Sequence, residues 1–160
     1  MKSTHILASI LACFLFLASV TSVVSAAVPV IQSDQQYFDI KSGLHVLKGN
    51  VTISHSGRVV TAGEARTNML EVWASDNVTF TQDDISFRGD SVYVNIPSNT
   101  AKITGNVSYS DNGTSIQAQQ VEYDWNSKIA LFNGQVKITQ NGTTSSQEQV
   151  RYHVIEHTLL

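Results

Sequence analysis

Between about Val30 and Tyr152 apolar residues recur at every second position, in runs of roughly ten residues broken by clusters of Asn, Asp, Gly, Ser and Pro. Residues two apart in a strand share a face, so the alternation predicts strands, and Val, Ile, Thr, Tyr and Phe dominate them. No stretch of useful length carries a helical period. One phrase also returns: LKGNVTIS at 47–54, ASDNVTFT at 74–81, ITGNVSYS at 103–110 and FNGQVKIT at 132–139. Its marker valines, Val51, Val78, Val107 and Val136, are 27, 29 and 29 residues apart. A near-constant period of this size marks a unit that cannot bury its own apolar face and stacks on the next. Turn signals at Ser56-Gly57, Asp83-Asp84, Asn112-Gly113 and Asn141-Gly142 alternate with others at Asn68-Met69, Pro97-Ser98-Asn99 and Asn126-Ser127. Each unit therefore reads as a hairpin, and the chain as an antiparallel meander.

The alternation assigns faces. One side of the marker strands collects Leu47, Val51 and Ile53; Val72, Val78 and Phe80; Ile103, Val107 and Tyr109; Phe132, Val136 and Ile138. The partner strands add Val60, Ala62 and Ala65; Phe87 and Val92; Ile116, Val121 and Tyr123; then, more thinly, Ser145, Gln147, Val150 and Tyr152. The opposite side carries Lys48, Asn50, Thr52, Asn77, Lys102, Asn106 and Lys137. Glycine precedes the marker valine by two residues in three units and Asp76 does so in the other, while the partner strands contain one three-residue step. Both irregularities predict a bend or bulge at mid-strand. A stack of creased hairpins becomes two facing sheets with the apolar sides inward. Such an interior either fills itself or leaves a slot for an apolar ligand, and the pattern alone leaves both open.

The N-terminus reads differently. Lys2 precedes an uncharged apolar run from Ile6 to Val24 ending in Ser25-Ala26-Ala27, the form of a secretory signal over residues 1–26. A retained anchor is the alternative. Residues 27–160 then make one domain by length. Cys13 is the single cysteine and lies in that apolar run, so the fold has no disulfides. The net charge of −3 and the absence of Lys/Arg runs argue against nucleic acid as a partner.

Other motifs carry less. His153-Val154-Ile155-Glu156-His157 matches an inverted zinc-protease pattern, but that chemistry needs a helix to place both rings on one face, and this segment is β-branched. Neither a metal nor a cofactor is expected, and no nucleophile, base and orienting-residue set stands out, so the chain reads as a non-enzyme. Asn50, Asn77, Asn106, Asn112 and Asn141 head N-x-S/T triplets, which the repeat and its turns explain without glycosylation. Trp73 and Trp125 fall beside turns, either exposed or capping the core. His45 reads as a hydrogen-bonded histidine on the inner rim.

Taken together, Ile31-Gln32-Ser33-Asp34, Tyr37-Phe38-Asp39, Leu47-Lys48-Gly49-Asn50-Val51 and the returns at Gly105-Asn106-Val107 and Gly134-Gln135-Val136 resemble the OstA-like, or LptA, family of periplasmic lipopolysaccharide transport proteins. The resemblance covers the whole chain after the signal. It implies a folded-over antiparallel β jelly roll whose groove holds the acyl chains of lipid A, lined here by the inward residues from Leu47 to Ile138 named above. It also implies inner-membrane exporter and outer-membrane translocon partners, and head-to-tail self-association. In that arrangement the edge at Val30 and Ile31 would meet the edge at Val150 and Tyr152 of the next molecule; a polar cap at the last unit is the other reading. The pair Ala62-Gly63 departs from the Ala-Asp expected there, and the chain ends soon after its last strand. Membership of the anchored exporter-side branch, LptC, therefore stays open beside a structural β-solenoid with a dry core.

Overall fold

In the computed structural model, which describes residues 28–160, the alternating runs form long antiparallel strands: β3 (Leu44–His55), β4 (Arg58–Thr67), β5 (Glu71–Gln82), β6 (Ile85–Asn95), β7 (Thr100–Asp111), β8 (Thr114–Asp124), β9 (Ile129–Gln140) and β10 (Thr143–His153). Short strands β1 (Val30–Gln32) and β2 (Gln35–Asp39) both pair with β3, and β11 (Thr158–Leu159) pairs with the end of β10. All belong to one sheet that follows chain order and does not close. No helix among the described residues is long and apolar enough to cross a membrane. The predicted signal segment lies outside the described residues.

Two kinds of turn join the strands. Tight two-residue turns link β3 to β4, β5 to β6, β7 to β8 and β9 to β10. Ser56 and Gly57, Asn112 and Gly113, and Asn141 and Gly142 all have positive φ, the mirror-image turn whose twist matches paired strands. Longer turns at the other end hydrogen-bond to one another in succession: Ile96 N–H to the Leu70 carbonyl, Trp125 to Asn99 and Val154 to Lys128.

Midway along each strand the register breaks, between Lys48 and Val51, Thr61 and Glu64, Ser75 and Val78, Thr104 and Val107. The expected crease is there, and it uses two residues rather than one. Gly49 and Asn50, Asp76 and Asn77, Gly105 and Asn106, and Gly134 and Gln135 are consecutive left-handed residues. Left-handed backbone costs most L-residues about 1–2 kcal/mol, with Gly, Asn and Asp the usual occupants. That cost explains the repeated Gly-Asn dipeptide.

The crease divides each strand into a first arm, ending at the tight turns, and a second arm, ending at the longer ones. Aromatic contacts show that the arms face each other. Phe87 of the first arm meets Tyr123 and Phe132 of the second, with ring centroids 5.1 and 6.3 Å apart. Tyr109 meets Phe132 at 6.0 Å and Tyr152 at 5.6 Å, and Phe80 meets Tyr123 at 6.1 Å. A first-arm strand thus faces second-arm strands two and three places further along the chain, and the arms cross. The core is one continuous layer between them.

Candidate functional site

The interior between the arms is the candidate site. Every residue expected to line it is buried: Leu47, Val51, Ile53, Val78, Phe80, Phe87, Val92, Ile103, Val107, Tyr109, Ile116, Val121, Tyr123, Phe132, Val136 and Ile138. Strand alternation puts them on one face, and the crease turns both arms of that face inward. Most of the interior is filled. Phe80, Phe87, Phe132, Tyr123 and Tyr152 reach 0 % exposure, and Phe87 stacks on Tyr109 at 5.0 Å.

Room remains at the N-terminal end. A cavity of about 30 Å³ lies between Ile53, Val60 and Phe80 of the first arm and Val72 and Val94 of the second, with Pro29, Met69 and Ile96 at its rim. Its polar neighbours are His55, Arg58 and Thr67. Exposed apolar side chains occur toward both ends of the sheet, Val28, Val30, Phe38, Ile40, Met69 and Leu70 toward its start and Ile155, Leu159 and Leu160 toward its finish, and of these Met69 lines the cavity.

Three contacts close the long side of the interior, where the tips of the arms meet. Arg58 lies over the Trp125 ring, 4.7 Å from its centroid. The buried Tyr123 hydroxyl donates to Gln82 Oε1 at 3.0 Å. His157 contacts the Asp111 carboxylate, which also accepts from the Tyr109 hydroxyl at 3.0 Å. Burial, reinforced by Asp83 and Asp124, pushes the Tyr123 pKa up to about 12. Burial and then the Asp111 carboxylate push Tyr109 higher still.

At the opposite end Val150 and Tyr152 turn inward and are buried, and β11 pairs with Tyr152 and His153. The open edge of β10 is therefore its first-arm segment, Thr143 to Gln147, rather than the Tyr152 end. At the start of the sheet Ile31 packs against the core while Val30 is 60 % exposed.

Several expectations change in detail. The tryptophans divide: Trp125 is buried and stacks on Phe80 at 6.3 Å, whereas Trp73 is half-exposed on the outer face against Tyr93. His45 packs its ring on Phe38 at 5.1 Å instead of acting through a hydrogen bond. The segment His153 to His157 forms a strand end and a turn, where His153 Nδ1 accepts from the Glu156 N–H and His157 reaches Asp111. Among the described residues no three metal-ligating side chains converge.

The crease also holds a pattern that sequence reasoning missed. A Cβ built on Gly49 would run into the Asp34 carboxylate, and one on Gly105 into Asp90. Asn50 and Asn106 donate to those same carboxylates at 2.9 and 2.8 Å. In the second unit the partners are exchanged: Gly63 stands on β4 and Asp76 on β5, again carboxylate against glycine. Gly63 and Asp76, two separate departures in the sequence, are one reciprocal swap. The signal was available as Ser33-Asp34, Ala62-Gly63 and Gly89-Asp90, each one crease away from a Gly-Asn or Asp-Asn pair.

A single creased antiparallel sheet enclosing an apolar interior defines a class of β-slot proteins that includes solved examples. The chain belongs to the OstA-like family, whose model matches residues 27–158. Among solved structures it is similar to LptH, described as the LptA homologous periplasmic component of the conserved lipopolysaccharide transport device from Pseudomonas aeruginosa. That match has 15 % identity and a TM-score of 0.53, over 75 % of this chain and 82 % of LptH. No curated protein matches the chain.

Proposed function

We propose that the protein is a non-enzymatic periplasmic carrier of lipopolysaccharide export, delivered by cleavage after residue 26, which shelters lipid A acyl chains between its two arms. The observation that carries this reading is the continuous apolar layer between the arms, with room left at an end where the exposed Met69 lines a cavity, in a chain of the OstA-like family. The physics suits the task. Each methylene sheltered from water is worth about 0.8 kcal/mol, so a chain of about a dozen carbons gains on the order of 10 kcal/mol without any chemistry. A cavity of about 30 Å³ holds little more than one water, so acyl chains enter by parting the arms. The open edges at β1 and at Thr143–Gln147 of β10 suit head-to-tail strand addition, a heterologous contact that extends a bridge, and exporter and translocon components would dock at the same edges.

A second reading has its own observation. The aromatic packing of Phe87, Tyr109, Phe132 and Tyr152 is dense enough to serve as the dry core of a structural stack. Entrance variants separate the two readings better than mid-slot ones. A carboxylate at Val107, 2 % exposed, would be buried unpaired and would unfold the stack, whereas Met69 is 38 % exposed at the cavity rim. We expect the chain, expressed with its own leader in a lipopolysaccharide-making host, to carry a lipid A-sized adduct in native mass spectrometry and to lose it in Met69→Glu. Adduct-free wild-type protein under gentle conditions would give the dry stack the stronger claim.

A further inference from the structure

Arg58 begins β4 just after the Ser56-Gly57 turn, at the tip of the first arm. Its guanidinium crosses to the second arm and covers Trp125, which in turn stacks on Phe80, a wall of the N-terminal cavity. Arg58 itself lines that cavity, so it stands both as part of the cavity and as the outermost member of the contacts that hold the arms together.

The guanidinium has no acidic partner there. It offers five N–H donors in a planar fork suited to carboxylate or phosphate. The sole ion pair among the described residues is that of His157 with Asp111, so no carboxylate lies within 4.0 Å of Arg58. Burial works against its charge, and Tyr123 and then Asp83 act on it only through their fields. A ring face compensates a desolvated cation less fully than an anion does. Beside it, His55 Nδ1 is buried without a hydrogen-bond partner. A mostly apolar cavity, with Thr67 as its other polar neighbour, is therefore lined by two nitrogen-bearing side chains, neither paired with an acid. That combination fits a ligand with an alkyl chain and an anionic head.

We propose that Arg58 is the headgroup-reading latch of the slot: a phosphate or carboxylate on an amphiphile draws the guanidinium off Trp125 into a bidentate contact, and the parted tips admit the alkyl chain between Val60, Phe80 and Val72. This rests on the carrier reading and adds to it a preference for anionic over neutral amphiphiles, with Arg58 as the determinant.

The test uses the full chain in a Trp73→Phe background, so that emission reports Trp125. The probes are dodecyl phosphate, dodecyl maltoside and inorganic phosphate, the amphiphiles below their micellar concentrations. Dodecyl phosphate should bind about tenfold tighter than the maltoside, the scale of one charge-assisted contact, and should change Trp125 emission. Inorganic phosphate alone should leave the emission unchanged. Arg58→Gln should abolish the preference while maltoside binding holds, and Arg58→Lys should keep part of it. A preference that survives Arg58→Gln, equal binding of both amphiphiles by the parent protein, or a response to inorganic phosphate alone would each overturn the latch and leave the carrier standing. Binding of neither amphiphile would remove the carrier reading and the latch together. Far-UV circular dichroism confirms that each variant is folded.

Discussion

The two ends of the slot are built from the same repeat and have opposite character. At the N-terminal end the interior is lined by Ile53, Val60, Val72 and Val94 around a cavity, with exposed apolar residues outside. At the C-terminal end Tyr109, Phe132 and Tyr152 fill the space, and the first-arm part of β10 exposes Thr143, Thr144, Ser145, Ser146 and Gln147. The inward positions of the last unit, Ser145 and Gln147, are exposed and polar, whereas those of the first units, Leu47, Ala65 and Val72, are apolar and buried. The lesson is that a repeat specifies pairing and crease, whereas the size of the inward residue decides where the stack can admit something. Terminal units of stacked folds are commonly polar; here one end keeps that rule and the other does not.

The sharpest way to break this comparison is to cut volume at each end. Phe132 contacts Phe87 and Tyr109 at 0 % exposure, so Phe132→Ala should cost about 3–5 kcal/mol of unfolding free energy. Val60→Ala beside an existing cavity should cost roughly 1–2 kcal/mol, near the transfer value of the lost methyls. Urea denaturation measures both. A loss at Val60 well above that transfer value would mean that the two ends are packed alike and that the cavity has no energetic meaning.

Closure along the tips gives the next effect. Tyr123→Phe leaves the Gln82 Oε1 acceptor without its 3.0 Å donor in a buried place, which should cost about 1–3 kcal/mol. The sign of the pH dependence follows from the same group. The Tyr123 pKa is raised in the fold from 10.0 to about 12, so the stability tied to its protonated form is complete below pH 10 and is lost as the pH rises through about 12. The wild type should therefore lose stability over that alkaline window more steeply than Tyr123→Phe. Parallel alkaline curves for the two proteins would show that the tip contact does not couple the arms.

Much of this was legible in the sequence because strand alternation is strict. A one-residue slip would turn Val51, Val78, Val107 and Val136 outward, so period and face follow from the residues alone. The crease was legible from Gly49, Gly105 and Gly134. Its second left-handed residue was not, since Asn50 and Asn106 also make sense as outward polar positions, and only the backbone shows them at φ 46 and 47. The crossing of the arms was equally hidden. It depends on how far one arm twists against the other, and alternation says nothing of that. Tyr152, read both as an inward residue of the last unit and as part of a docking edge, packs in the core against Tyr109, a contact that alternation could not have named.

The smallest effect compares the two ends through one chemical pair, a tyrosine hydroxyl on a carboxylate. Tyr93 donates to Glu71 on the outer surface toward the N-terminal end, and Tyr109 donates to Asp111 near the closed end. In the exposed pair the hydrogen bond from Tyr93, then that from Asn68, lowers the Glu71 pKa, so any stability it lends is present above the ordinary carboxylate value and is lost as the pH falls through the lowered one. In the second pair, burial leads and raises the Tyr109 pKa. Tyr93→Phe should return the Glu71 pKa toward its ordinary value in an NMR titration and leave overall stability nearly unchanged, because exposed polar contacts are largely screened. Tyr109→Phe should lower stability measurably, since it removes a donor from the Asp111 carboxylate that meets His157 across the tips. If both substitutions were silent in stability, burial would not distinguish the two ends, and side-chain size alone would have to account for their difference.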